Sequence, residues 1–180
     1  MDENSFRLAS TKLGWFGLVS RGGRLVATYL PRPKTELAEQ IKARFPDAEA
    51  STTLLEAFVS DVRRYFEGHR VAFRAELDLG AVPPFRRAVL EVCRRIPYGR
   101  TASYAELARL AGNPKAVRAA GGAMAHNPLP LVIPCHRVLR SDGSVGGFSS
   151  PCGVNDKERM LRLEGIVPTH ERAKAFRQAV

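Results

Sequence analysis

Apolar residues alternate with polar ones along the start of the chain, and the period then lengthens to four. Residues 6–10 and 15–20 read as strands joined at Lys12-Leu13-Gly14, and Arg21-Gly22-Gly23-Arg24 as a tight turn into a third strand, 25–30. Pro31 and Pro33 stop that strand, because proline cannot donate to a ladder. Residues 35–45 carry Leu37, Ile41 and Phe45 at four-residue spacing, and residues 52–66 repeat the stripe with Leu55, Phe58, Val59, Val62 and Phe66. Both segments are expected to be helices. Phe73, Ala75, Leu77 and Leu79 alternate again as on a strand, and Ala81-Val82-Pro83-Pro84 reads as a domain junction. The pattern predicts a small N-terminal α/β domain, residues 1–82, built on a three-stranded antiparallel sheet with helices.

From residue 83 the pattern is helical, so the chain is expected to be α+β, with a second domain over 83–170 and a tail, 171–180. Residues 85–95 place Phe85, Val89 and Val92 on one face, and Ile96-Pro97-Tyr98-Gly99 breaks the helix. Ser103-x-x-Glu106 is a capping box opening a helix over 104–111. Gly112 ends it, and Asn113-Pro114 is read as capping the next, from Lys115 to about His126. Two helices joined by a tight Gly-Asn-Pro turn predict a helix-turn-helix. The second carries Ala119, Ala120, Gly121, Gly122 and Ala123, and two glycines inside a helix cost about 1 kcal/mol each relative to alanine. Either close helix–helix packing or close approach of a bulky partner offsets that cost.

Composition narrows the partners. The chain has 180 residues, 44% of them hydrophobic, and a formal net charge of +10. The charge is spread rather than gathered in a tail, which points to a folded basic face and a polyanionic partner. No apolar run is long enough for a membrane span and no signal-peptide pattern opens the chain, so a cytoplasmic location is expected, nucleoid-associated, or nuclear in a eukaryote. The three cysteines, Cys93, Cys135 and Cys152, form no C-x-x-C pair, and the four histidines, His69, His126, His136 and His170, are scattered. Neither a disulfide framework nor a metal site is expected, and no cofactor is called for.

Candidate chemistry concentrates in Pro134-Cys135-His136-Arg137-Val138, which follows the apolar run Leu129-Pro130-Leu131-Val132-Ile133. A free cysteine is mostly thiol at neutral pH and needs a base, and the base needs an orienting group. His136 is adjacent, but neighbouring side chains on extended backbone point apart, so a bridging water is the expected link. Asp156, Glu158 and Glu164 are the candidate carboxylates. Asn155-x-x-Glu158 reads as a helix start that occupies Glu158 in capping, which leaves Glu164 free for another role. On its own, a Pro-Cys-His is also compatible with a buried structural cysteine.

From residue 85 to 165 the chain resembles the catalytic domain of the O6-alkylguanine-DNA alkyltransferases, the methylated-DNA–protein-cysteine methyltransferases. The matching stretches are Ile96-Pro97-Tyr98-Gly99, Ser103-Tyr104, Gly112-Asn113-Pro114 running into Val117-Arg118-Ala119-Ala120-Gly121, His126-Asn127-Pro128, Ile133-Pro134-Cys135-His136-Arg137-Val138, and 161–165. The N-terminal part is similar in outline to the family's smaller, RNase H-like domain. The resemblance implies that Cys135 accepts the alkyl group, deprotonated through water by His136, which Glu164 orients. It implies that Tyr104 lies near the target phosphate and protonates the departing guanine, and that Arg118 fills the gap left by the flipped base. Asn127 would tie the recognition helix to the active-site turn. The carbonyls of Cys135 and Val138 would accept from the exocyclic amine, and Ser149 would lie near O6. Lys115 and Gly121 would be at the DNA backbone.

The implied partner is double-stranded DNA containing O6-alkylguanine, bound by a monomer largely without regard to sequence. The implied reaction, which extends to O4-alkylthymine, is irreversible and happens once per protein molecule, with the base flipped out of the stack. The chain departs from many members in having Phe148 where they have tyrosine, and in a slightly longer loop over 149–154. It has no cysteine before Cys93 to hold the zinc that some members bind. Three other classes compete. A non-catalytic lesion sensor would lack the acceptor cysteine, a cysteine hydrolase would turn over esters or amides, and a transcription regulator would prefer one duplex sequence.

Overall fold

The computed structural model describes residues 3–147 and 153–167. Phe148, Ser149, Cys152 and His170 lie outside the described residues, as do residues 171–180. The fold is α+β: a four-stranded mixed sheet, a two-stranded parallel pair and six α-helices among the described residues. Two compact units emerge, Met1–Ala81 with Pro128–Val132, and Val82–Asn127 with Ile133–Val180. No helix among the described residues is long and apolar enough to cross a membrane.

In the first unit, β1 (Asn4–Thr11), β2 (Gly14–Arg21) and β3 (Arg24–Arg32) form an antiparallel meander. Gly22 and Gly23, both at positive φ, make the two-residue hairpin turn whose twist matches the strands. β4 (Glu49–Ala50) adds a parallel edge beside β1, so the sheet has four strands, order β3-β2-β1-β4, and not the three expected. Residues 16–20 of β2 are all buried because helices cover both faces of the sheet. Gly17 and Val19 face α1 (Lys34–Arg44); a Cβ on Gly17 would stand 3.1 Å from Ile41 Cδ1. Phe16 faces α2 (Glu56–Phe66) and lies 6.4 Å, centroid to centroid, from both Phe58 and Phe66. α2 starts four residues later than the apolar stripe suggests, because Leu55 sits in the left-handed region at φ 48°.

The strand expected around residues 73–79 does not form. A single bridge pairs Leu77 with Leu25, while Phe73 joins the aromatic cluster of Phe58 and Tyr65. The outer edge of β3 explains the shortfall. Leu25 exchanges both of its bonds with the backbone of Glu76 and Asp78, but Thr28 donates from its backbone to Pro128 and from Oγ1 to Pro130 (2.7 Å). Prolines have no N–H to return, so the ladder stops there and the edge is covered.

In the second unit, α3 (Pro84–Arg94) begins with its proline at N1 and buries Val89, Leu90 and Cys93. α4 (Tyr104–Leu110) opens with the expected capping box, both reciprocal bonds present between Ser103 and Glu106. Asn113 does not cap the next helix. Asn113–Ala116 is a separate turn, and α5 (Val117–Ala125) starts at Val117, two residues beyond the expected start, with no side-chain cap. β5 (Ala102–Ser103) pairs in parallel with β6 (Val138–Leu139). α6 (Val154–Leu163) follows Gly153, so Asn155 lies inside the helix and Glu158 is not a cap; it pairs instead with Arg162 at 3.5 Å.

Candidate active site

Pro134 leads into a single 3-10 turn, Cys135–Arg137, closed by the Arg137 N–H donating to the Pro134 carbonyl. The backbone here is tightly wound, not extended as the sequence suggested. Cys135 and His136 are both buried. The turn brings the imidazole against Glu164: His136 Nε2 is 2.8 Å from Glu164 Oε1. Against an ionised carboxylate Nε2 carries the proton, so Nδ1 is the position from which the ring would act as a base.

Glu164 is held by the end of α6. Gly165, at φ 74°, and Ile166 close a Schellman turn, their N–H groups donating to Arg162 and Leu161. A helix C-terminus is a poor place for a carboxylate. Compensation comes from four donors: His136 Nε2, Arg137 Nε and Nη2 at 2.8 and 2.9 Å, and the Gly99 backbone N–H at 3.1 Å. Arg137 donates its third arm to the Ile96 carbonyl at 2.6 Å. Burial alone would push the Glu164 carboxyl up, but the bonds and charges of His136 and Arg137 outweigh it and hold it well below the usual carboxylate range. Burial dominates at His136, whose pKa stays below its ordinary value despite Glu164. The resting imidazole is therefore neutral.

Burial likewise pushes the Cys135 thiol up. Opposing it are the Asn127 side chain, the charge of Lys157 and the backbone N–H groups of Cys135 and His136. Asn127 follows directly on the end of α5, and its Nδ2 also donates to the Ile133 carbonyl at 2.8 Å. The sulfur thus sits in a buried cradle of donors, a thiol at rest surrounded by groups that favour its anion.

The fold brings Cys135, His136, Glu164, Asn127, Val138 and Tyr104 into one cluster. Tyr104, the first residue of α4, is half-buried, and a Cβ on Gly146 would stand 3.0 Å from its hydroxyl. Lys115, in the turn before α5, and Arg118, in the first turn of α5, are exposed and take no part in the hydrogen bonds around Glu164. Ser149 is outside the described residues. Gly121 would place a Cβ no nearer than 4.0 Å to Tyr104, and Gly122 meets nothing within 4 Å, so packing inside the chain does not demand these glycines. Among the described residues no group of three or more His, Cys, Asp or Glu could hold a metal ion.

Two site residues escaped the sequence reading. Arg137 lies inside the motif, but nothing marked it as the buried counter-charge of Glu164. Lys157 is fully buried, its ammonium donating to the Val138 carbonyl and lying 5.7 Å from the centre of the Tyr104 ring. Its one signal was spacing: it stands three and four residues before Met160 and Leu161, on the buried stripe of α6.

Residues 84–166 match the family model described as the DNA-binding domain of 6-O-methylguanine DNA methyltransferase. The chain is 39% identical over 131 residues to the methylated-DNA–protein-cysteine methyltransferase of Methanothermobacter thermautotrophicus, covering 72% of each. To the enzyme of the same name from Archaeoglobus fulgidus it is 36% identical over 157 residues, 84% of this chain and 93% of that one. The crystal structure of Mycobacterium tuberculosis OGT in complex with DNA superposes with a TM-score of 0.75 at 30% identity, covering 92% of this chain and 96% of that one.

Proposed function

The chain belongs to the methylated-DNA–protein-cysteine methyltransferase family, and from that premise we propose that it repairs DNA by direct reversal. The alkyl group of O6-alkylguanine, and of O4-alkylthymine, passes to Cys135 irreversibly, once per molecule, with the damaged base flipped out of the duplex. The observation that carries this reading is the buried Cys135 thiol, cradled by Asn127, beside a neutral His136 whose far nitrogen is fixed by Glu164.

The chemistry follows from that arrangement. The thiol proton passes through a bridging water to His136 Nδ1, and Glu164 stabilises the imidazolium. The thiolate attacks the alkyl carbon; a C–S bond forms, the C–O6 bond breaks, and its electron pair goes to the guanine. Tyr104 supplies the proton that the leaving base needs. The carbonyls of Cys135 and Val138 each already accept one bond, from the Val138 N–H and from Lys157, and keep a second lone pair for the guanine amine. The product is a thioether, a poor leaving group, so the protein stops after one transfer.

DNA recognition is assigned to α4 and α5 as a helix-turn-helix, with Lys115 and Gly121 near the backbone and Arg118 replacing the flipped base in the stack. The open space at Gly122 supports the close-approach reading of the small residues. The net charge of +10 supports binding through phosphates, hence with little sequence preference and strong salt dependence. The resemblance further assigns residues 1–82 to an RNase H-like domain, and the working form to a monomer in the cytoplasm at the nucleoid, or in the nucleus of a eukaryote.

Intact-protein mass after incubation with a duplex carrying one O6-methylguanine tests the reading. A single methyl per molecule, saturating at one equivalent and absent in Cys135→Ala, is expected. Lesion binding without a mass change would make the protein a damage sensor; neither binding nor mass change would return Cys135, His136 and Glu164 to the hydrolase reading.

A further inference from the structure

Lys157 has no part in the mechanism above, yet it is the second cation buried in the cluster after Arg137. The Lys157 ammonium donates to the carbonyl of Val138, a neutral acceptor three residues beyond Cys135 on the same turn. A neutral donor would satisfy that carbonyl at far lower cost, since an ammonium withdrawn from water loses several kcal/mol of hydration.

Among the described residues, several elements present titratable or charged groups to Lys157. The turn supplies Cys135 and His136, α3 supplies Cys93, α4 the Tyr104 ring, and the chain beyond β6 supplies Arg140. Two of these, the thiols, attract the ammonium when ionised, and Arg140 repels it. Burial is the largest influence and pushes the lysine down from its usual value to about 8. The charge of Lys157 acts in turn to lower the Cys135 pKa.

We propose that Lys157 is a positioning residue of the acceptor site, its ammonium, pinned to the Val138 carbonyl against the Tyr104 ring, supplying the positive charge against which the Cys135 thiolate forms. His136 removes the proton and Lys157 holds the charge that remains until the alkyl group arrives. After transfer the sulfur is neutral and the ammonium is left facing an uncharged thioether. The alkylated site therefore holds Lys157 less well as a cation. This role rests on the alkyl-transfer reading only for the reaction it serves.

Three variants separate charge from hydrogen bond: Lys157→Gln keeps a donor without charge, Lys157→Met removes both, and Lys157→Arg keeps the charge at all accessible pH. The readout that needs no DNA is the pH dependence of Cys135 alkylation by iodoacetamide, located by peptide mass. Loss of the charge should move the onset of reactivity to higher pH in both Gln and Met variants and slow the reaction at neutral pH about tenfold, the effect of one nearby opposite charge on a thiol. Methyl transfer from an O6-methylguanine duplex should slow by the same factor, with affinity for unmodified duplex unchanged. A wild-type profile in the Gln variant, or slowing in Met alone, would show that Lys157 is only a structural donor.

Should the variants fail to fold, the wild-type protein still decides. The Nζ resonance of Lys157 should titrate near 8, and at lower pH once Cys135 is capped with methyl methanethiosulfonate. No movement on capping would overturn the proposal. A wild-type protein that takes no methyl from the duplex, while these titrations behave as stated, would instead refute the alkyl-transfer reading and leave the role of Lys157 standing.

Discussion

Around β2 the first unit buries Phe16, Tyr65 and Phe66, and its deeply buried guanidinium, Arg7, reaches out to Glu56, a carboxylate whose side chain is 60% exposed. Around the Cys135 turn the second unit buries His136, Arg137, Lys157 and Glu164 together. The two regions respond to change by different physics. An apolar core holds by area and shape and tolerates swaps that keep volume. A buried ionic cluster holds only while every member is present, because removing one leaves another charged and dry. The first region is organised to be stable. The second maintains, at a cost in stability, a set of fixed charges beside one thiol.

Two near-isosteric substitutions should expose this contrast most strongly. Leu18→Met, in the fully buried strand of the first unit, is expected to cost less than about 1.5 kcal/mol. Glu164→Gln changes even less volume, yet it removes the charge opposite Arg137 and turns one of the two acceptor oxygens into an NH2 that meets other donors, and should cost about 3–5 kcal/mol. Denaturant unfolding of the full chain checks both, and comparable losses would dissolve the distinction. Alkyl transfer per folded molecule should survive Leu18→Met and fall sharply in Glu164→Gln.

Acid should separate the units next. His136 has a folded pKa below its ordinary value, so below about 6.5 the unfolded chain binds the proton more readily and stability falls with pH. Glu164 adds to this at lower pH. Its contribution is complete above the ordinary glutamate value near 4.3 and disappears as pH falls toward its depressed folded value. Among the described residues the first unit buries neither imidazole nor carboxylate. Hydrogen exchange followed residue by residue should therefore show α6 and the Cys135 turn losing protection on mild acidification before β2 does. At the alkaline end Lys157 works in the opposite sense. The penalty for burying its ammonium is fully present below a pH of about 8 and is relieved as pH rises from there toward 10.5, so stability should increase across that window.

The same contrast explains how much was legible in the sequence. The three long strands, the Gly22-Gly23 turn, α1, α3 and the capping box of α4 follow from period, proline and glycine, which act locally. Residues 73–79 alternate like a strand, but a ladder needs a partner with N–H groups to give, and the edge of β3 is shared with Pro128 and Pro130, far along the chain. The starts of α2, α5 and α6 were misjudged where a left-handed Leu55, a free-standing Asn113 turn and Gly153 override the capping patterns. Cys135 and His136 were visible as a motif, and Glu164 as one of three acids. Arg137 and Lys157 were not visible as buried, because a charged side chain in a sequence looks the same whether water or a carbonyl solvates it.

The smallest effect discriminates most finely, because stability and function should move in opposite directions. Gly122 lies inside α5 and its absent Cβ would meet nothing within 4 Å. Gly122→Ala should therefore stabilise the protein by about 1 kcal/mol, the ordinary difference between the two residues in a helix. If α5 lies against a DNA backbone, the added methyl group occupies space reserved for the partner, and affinity for duplex should fall while iodoacetamide still reaches Cys135 at the wild-type rate. Thermal unfolding and a duplex titration on one preparation decide the matter. A more stable protein that binds DNA as before would mean the glycine serves no close approach, and the helix-turn-helix reading would lose its structural support at that position. A more stable protein that binds worse would show that the helix gives up stability at Gly122 to leave room for DNA.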